Sequence, residues 1–200
     1  HIFKSIQDLG YVTHIKLLNA SNFGVPQLRP RVVIIGIRKD QYGAFSYPED
    51  KPDSAKTVGE TLYDLMAENK WTGAKRWAEQ ADRIAPTLVG GSKKHGGPDL
   101  GPTRARKASA ELGVDGRGIA DTAPAPGFDG MPRLTSRMMA RIQGFPDTWT
   151  FGSRKTVACR MIGNAFPPPV AKAVGEQIKE CLAHGCADSQ SKISLSRAVV

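Results

Sequence analysis

The chain has 200 residues, 40% of them apolar, and a formal net charge of +9. That length suits one ordinary domain or two small ones, and the apolar share, though a little low for one compact core, lies well above the disordered range. No apolar run approaches the roughly 20 residues of a membrane helix, and three cysteines form no even disulfide framework, so a reducing, cytoplasmic setting is expected.

Ile2, Phe3, Ile6 and Leu9 recur at helical spacing, and Gly10 suits the position after a helix end. Lys4 and Asp8 interrupt this stretch, so it does not read as a signal peptide. Tyr11 to Leu18 reads as a short strand, and residues 19–30 as a loop punctuated by Gly24, Pro26 and Pro30. Residues 31–38 hold Val32, Val33, Ile34, Ile35 and Ile37, a continuous β-branched run that marks a strand covered on both faces. Thr57 and Glu60 match a capping box, with Val58, Leu62, Leu65 and Met66 on one stripe of the helix that follows. Residues 71–82 are weakly helical at best. Residues 85–130, rich in glycine pairs and prolines and poor in periodicity, read as irregular structure held by a partner or as a disordered segment. Thr135 can cap a helix carrying Met138, Met139 and Ile142, with Gly144 past its end. Pro167, Pro168 and Pro169 then open a helix bearing Val170, Val174, Ile178 and Leu182, which Gly185 should stop, and a frayed polar tail is expected from about Ala187.

Charge is placed unevenly. Residues 83–107 carry six basic residues against one acidic, inside an otherwise near-neutral middle. A polyanion partner would suit this, nucleic acid being the commonest; a solvated basic surface is the plainer alternative. Within it, "PTLVGGSKKHGG" offers glycines for close backbone approach, Lys93 and Lys94 for phosphates, and Thr87, Ser92 and His95 for base edges or sugar–phosphate. The order of a phosphate-binding P-loop is absent. Earlier in the chain, Gln27, Arg29 and Arg31 deliver two permanently charged donor forks at a strand end, stiffened by Pro30 between them. They suit an anion or a polar heterocycle, or simply acidic partners at a sheet edge. Gly163 and Asn164, ahead of the proline-led helix, suit amide groups presented to a ligand, or an ordinary capping turn. Cys159, Cys181, His184 and Cys186 match no usual ligand spacing, so no metal is expected.

Three stretches together resemble the C-terminal part of a DNA (cytosine-5)-methyltransferase, in the right order. "NFGVPQLRPRVVIIGIR" resembles the Gln-x-Arg-x-Arg motif and its strand, "PRLTSRMMARIQGFPDTW" the block closing the target-recognition region, and "GNAFPPPVAKAVGEQI" the final motif. The resemblance covers roughly residues 1–183. It implies an α/β fold: the end of a mixed-sheet, Rossmann-like methyltransferase domain over residues 1–40, a smaller irregular, mainly β target-recognition domain over 41–155, a returning motif and helix over 156–185, and a flexible tail over 186–200. The partners implied are double-stranded DNA and S-adenosyl-L-methionine.

In such enzymes the target cytosine is flipped out of the duplex. The resemblance then implies that Arg31 contacts the cytosine near O2, that Arg29 works beside it on the base or adjacent phosphate, and that Gln27 steadies the loop. Asn164 and Ala165 would help shape the cofactor pocket, and Lys93, Lys94, Arg104, Arg106 and Lys107 would meet phosphates or guanines. The family's Pro-Cys nucleophile, Glu-Asn-Val motif and glycine-rich cofactor loop are not in these 200 residues. Met138 also departs from the family, where a glutamate often follows the arginine. The chain is therefore expected to be inactive alone, as a truncated or split enzyme whose N-terminal catalytic half lies elsewhere. The competing expectation is a stand-alone DNA-binding module or degenerate remnant, whose Val170, Val174, Ile178 and Leu182 would lie uncovered. A generic RNA-binding protein fits less well, for want of stacked aromatics.

Overall fold

The structure, a computed structural model, describes residues 1–89, 98–152 and 154–197. It divides into two compact units. Unit 1 comprises residues 1–18, 30–50 and 170–200; unit 2 comprises residues 19–29 and 51–169.

Unit 1 is built on a two-stranded sheet, β1 (Tyr11–Asn19) and β2 (Pro30–Arg38). Lys39 at the end of β2 donates to Gly10 at the start of β1, so the strands run antiparallel. One sheet face is covered. Ile35 and Ile37 pack with Phe45, Tyr42, Tyr47 and with Ile178, Cys181 and Leu182 of α7 (Pro168–Arg197). Tyr47 secures this side by donating its hydroxyl to the carbonyls of His14 and Val33, in different strands. The opposite face is capped at one end only by α1 (Ile2–Asp8), where Ile6 and Tyr11 close over Gly36. Further along, Val32 and Leu17 are each 62% exposed, beside Ile15 and Ile34. The β-branched run of β2 is therefore fully covered on one face, not two: α7 and the 42–47 segment cover one side along its length, and α1 reaches only one end of the other. The stripe on α7 is the reverse case: Val170 and Val174 are buried and Ile178 and Leu182 pack within unit 1, so that helix face is not left open.

Unit 2 is helical. Its elements are α2 (Val58–Ala67), α3 (Ala74–Gln80), α4 (Thr103–Glu111), α5 (Ser136–Ile142) and α6 (Lys155–Asn164). The capping box of α2 forms with both bonds: Glu60 N donates to Thr57 Oγ1 (3.2 Å) and Thr57 N to Glu60 Oε2 (2.8 Å). At α5 the same frame carries Met138, and Thr135 N reaches only the thioether sulfur at 3.4 Å, a weaker acceptor. Met138 spends its side chain on the core instead, with Leu62, Met66, Trp77, Met139, Ile142, Cys159 and Ile162. Arg141 ties α5 to α2 by reaching Asp64, the Thr61 carbonyl and Asp147.

Several expectations are corrected here. Among the described residues unit 2 contains no extended strand, so the mainly β character expected for 41–155 does not hold: capped amphipathic stripes dominate where long alternating runs are missing. The stretches 71–82 and 85–130 contain α3 and α4. Helix α6 was not anticipated, although Ala158, Cys159 and Ile162 mark an apolar face at helical spacing. Finally, α7 runs through Gly185 to Arg197 rather than fraying from 186. One glycine costs a helix about 1 kcal/mol relative to alanine, and no proline follows to break it.

Candidate functional site

The loop from Asn19 to Arg29 closes on itself before it presents any side chain. Asn19 Oδ1 accepts from Arg29 N (3.0 Å), and Ala20 N donates to Arg29 O (3.2 Å). Pro26 to Leu28 then pair with Ala85: Ala85 N donates to Pro26 O and Leu28 N to Ala85 O. This short pairing brings Gln27 against the segment that leads to Leu88.

Gln27, Arg29 and Gln143 form a buried polar hub. Gln27 and Gln143 are fully buried and Arg29 is 2% exposed. Gln27 Oε1 accepts from Leu88 N (2.8 Å) and from Arg29 Nη1 (3.2 Å). Gln27 Nε2 donates to Gln143 Oε1 (2.7 Å). Arg29 Nη1 also donates to Leu88 O (2.8 Å), and its Nη2 to Gly163 O (2.5 Å) and Ala165 O (3.3 Å). Gln143 Nε2 completes the ring on Ala165 O (2.7 Å). Only a planar fork of donors reaches carbonyls on both sides at once, which an ammonium cannot do. Each bond is strengthened by its low-dielectric surroundings, and each lost one would orphan a buried acceptor.

Gly144 lets this arrangement exist. It holds a positive φ of 87°, and a Cβ there would lie 2.8 Å from Pro169 Cδ and 3.3 Å from Val25. The backbone after Gln143 therefore turns left-handed directly beneath the proline that precedes Val170.

The hub joins residues more than a hundred positions apart, and it meets the three stretches singled out in the sequence: Gln27 and Arg29 from the first, Gln143 from the second, Gly163 and Ala165 from the third. Gln143 itself was missed. It follows the apolar stripe of α5 directly, and nothing in its periodicity separates a buried polar tie from a helix-end glutamine.

The remaining expected site residues fall in several places. Arg31 belongs to unit 1, half-buried, its Nη1 donating to Pro30 O (2.7 Å). Asn164 ends α6 and is exposed, and Ala165 is half-buried; the Gly163–Asn164 pair thus closes one helix rather than directly opening the next. Thr87 Oγ1 donates to Leu28 O (2.6 Å). Arg104, Arg106 and Lys107 lie together on α4. Ser92, Lys93, Lys94 and His95 lie outside the described residues. Cys159 and Cys181 are buried in apolar clusters; burial pushes the Cys159 thiol up, the opposite of what a thiolate nucleophile needs. No helix among the described residues is long and apolar enough to cross a membrane.

The fold is that of an α/β methyltransferase: the chain superposes on the crystal structure of S. pombe Dnmt2 methyltransferase with a TM-score of 0.50 at 16% identity, over 88% of this chain and 58% of that one. It is 56% identical to the type II methyltransferase M.NaeI of Lentzea aerocolonigenes over 91% of its own length and 45% of that protein's. It is 48% identical to M.NgoMIV of Neisseria gonorrhoeae, over 91% of this chain and 58% of that one. The chain thus spans about half the length of these curated relatives. Residues 1–180 match C-5 cytosine-specific DNA methylase, and the chain belongs to that family.

Proposed function

We propose that this chain is the C-terminal portion of an S-adenosylmethionine-dependent DNA cytosine-5 methyltransferase, supplying DNA target recognition, the arginine beside the flipped cytosine and part of the cofactor pocket. It works with a region carrying the Pro-Cys nucleophile, in the same polypeptide or in a separate subunit, and is inactive without it. The observation that supports this reading best is the hub, which ties three family-like motifs into one buried network.

The roles divide by burial. Arg31 touches the cytosine near O2, where a positive group stabilises charge that builds on the ring as a thiolate adds at carbon 6. Arg29 and Gln27 act as positioning residues, since their donors are directed to protein carbonyls. Thr87, Ser92, Lys93, Lys94, Arg104, Arg106 and Lys107 meet duplex DNA. S-adenosylmethionine, when bound, supplies an electrophilic methyl group. Residues 163–165 fit a part in holding it: the carbonyls of Gly163 and Ala165 are pinned from inside, and the side chain of Asn164 between them is exposed. The open apolar sheet face of Ile15, Leu17, Val32 and Ile34 is the surface on which the nucleophile-bearing region would pack.

The test is a mixing assay. The chain is combined with a separately expressed region carrying the Pro-Cys nucleophile, and labelled methyl transfer from S-adenosylmethionine to DNA is followed, with Arg31→Ala in parallel. Activity only in the mixture, lost with Arg31→Ala, is the expected result. Turnover by the chain alone would overturn the split assignment. An inactive mixture with salt-sensitive DNA binding by the chain would favour a stand-alone DNA-binding module instead.

A further inference from the structure

A second charged cluster lies in unit 2, on the loop after α4. Asp115 is almost fully buried, and the loop around it is fixed by backbone bonds: Asp115 N to Pro132 O (2.9 Å), Ala120 N to Leu134 O (2.9 Å) and Leu100 N to Gly116 O (3.1 Å). Asp115 Oδ1 accepts from Arg117 N (3.1 Å) and Arg117 Nε (2.9 Å). Its Oδ2 accepts from Arg117 Nη2 (3.3 Å) and Arg133 Nε (3.0 Å). The Arg117 guanidinium, joined by that of Arg133, holds the carboxyl well below the usual carboxylate range.

Two close approaches bring more charge to the same loop. A Cβ on Gly116 would lie 3.1 Å from Arg106 Cγ, so the Arg106 stem lies along the loop backbone. A Cβ on Gly118 would lie 3.1 Å from Arg133 Nη1. Two guanidiniums thus meet one carboxylate, leaving a surplus of one positive charge, and the stem of a third arginine, Arg106, passes beside the same loop. The Arg117 and Arg133 side chains remain 72% and 48% exposed. Arg133 engages Asp115 through Nε, and its Nη donors make no hydrogen bond among the described residues.

We propose that Asp115 orients Arg117 and Arg133 as a clamp for a backbone phosphate of duplex DNA. This rests on the proposed function only in taking DNA as the partner. Both forks meet one buried carboxylate, so their remaining donors are neighbours, and neighbouring donors suit one tetrahedral phosphate with several acceptor oxygens. Holding the forks in advance removes part of the ordering cost on binding. Arg106 adds long-range attraction from its place over Gly116. Leu100 is anchored to this same loop through its bond to Gly116 O.

The experiment measures binding of the 200-residue chain to labelled duplexes of several sequences across a salt series. Wild type is compared with Arg117→Gln/Arg133→Gln and Arg117→Lys/Arg133→Lys. With Gln, the slope of log affinity against log salt falls by about 1, near-uniformly across sequences, and with Lys it is restored. Thermal melting of each variant checks that the fold is kept, since both side chains are mostly outside the core. An unchanged slope in the Gln variant overturns the clamp, while wild-type binding leaves the proposed function standing, to be decided by the mixing assay. A changed ranking of sequences that Lys does not rescue also overturns it, assigning the pair to base reading. Wild-type chain that binds no duplex overturns both.

Discussion

Unit 2 and unit 1 close their cores in different ways. In unit 2, short helices cross so that Leu62, Met66, Met138, Met139, Ile142 and Ile162 are buried together, and a polar hub joins the loops that lead away from them. In unit 1, Ile37, Phe45 and Cys181 fill one sheet face while Val32, Ile34, Ile15 and Leu17 stay open on the other. A helix needs one stripe covered, but a sheet has two faces and needs two layers. Unit 2 should therefore be sensitive to single internal changes, and unit 1 insensitive to changes on its open face. The three tryptophans, Trp71, Trp77 and Trp149, all lie in unit 2, so their fluorescence reports that unit selectively.

The largest effect is expected at the hub. Arg29→Met leaves acceptors at Leu88, Gly163, Ala165 and Gln27 short of donors, and should cost about 3–5 kcal/mol. Gln143→Leu removes two ties and should cost about 2–3 kcal/mol. Urea denaturation followed by tryptophan fluorescence gives both values. The double variant should exceed the sum by about 1 kcal/mol or more, because Ala165 O keeps one donor in each single variant and loses both in the double. An Arg29→Met midpoint close to wild type would mean that the hub is not what holds these loops.

The helix of residues 58–67, the strand of 30–38 and the motif positions were all legible in the sequence, because capping pairs, β-branched runs and punctuating glycines are local signals. The hub was half legible: Gln27 and Arg29 stood out by type and spacing, but their burial did not, since it depends on carbonyls more than fifty residues away. Gln143 carried no local signal at all. The single covered face of β2 was misread for a related reason. An apolar run records how many faces a strand can bury, not how many layers these 200 residues supply.

A smaller effect separates the two units by pH. Arg141, mostly withdrawn from solvent, pairs with Asp147 and Asp64, and Arg141 holds the Asp147 carboxyl below its ordinary value. A depressed folded-state pKa gives stabilisation that is complete above the unfolded value, roughly 4, and is lost as the pH falls through the folded one. Unit 2 should therefore lose about 1 kcal/mol as the pH drops below about 4, discounted for partial exposure, and Arg141→Gln should flatten that part of the profile. The ion pairs of unit 1, Lys16–Asp50, Arg38–Asp40 and Lys172–Glu176, are all more exposed than Arg141, and exposed pairs add little to stability.

The smallest effect is the one that most directly breaks the comparison. Val32→Thr/Ile34→Thr keeps β-branching, so strand preference is largely preserved. Because both side chains face solvent, little apolar burial is lost, and thermal melting by far-UV circular dichroism should move by less than about 0.5 kcal/mol equivalent. The same variant should reduce methyl transfer in the mixing assay, where the open face would acquire its second layer. A loss of about 1.5 kcal/mol or more in the chain alone would mean that the face is already covered. The cover would then be a second copy of the chain, since contiguous apolar surface of this kind favours self-association. Sedimentation across a concentration series decides the matter: a monomer with unchanged melting leaves the contrast between the units standing, and a dimer that Val32→Thr/Ile34→Thr dissociates removes it.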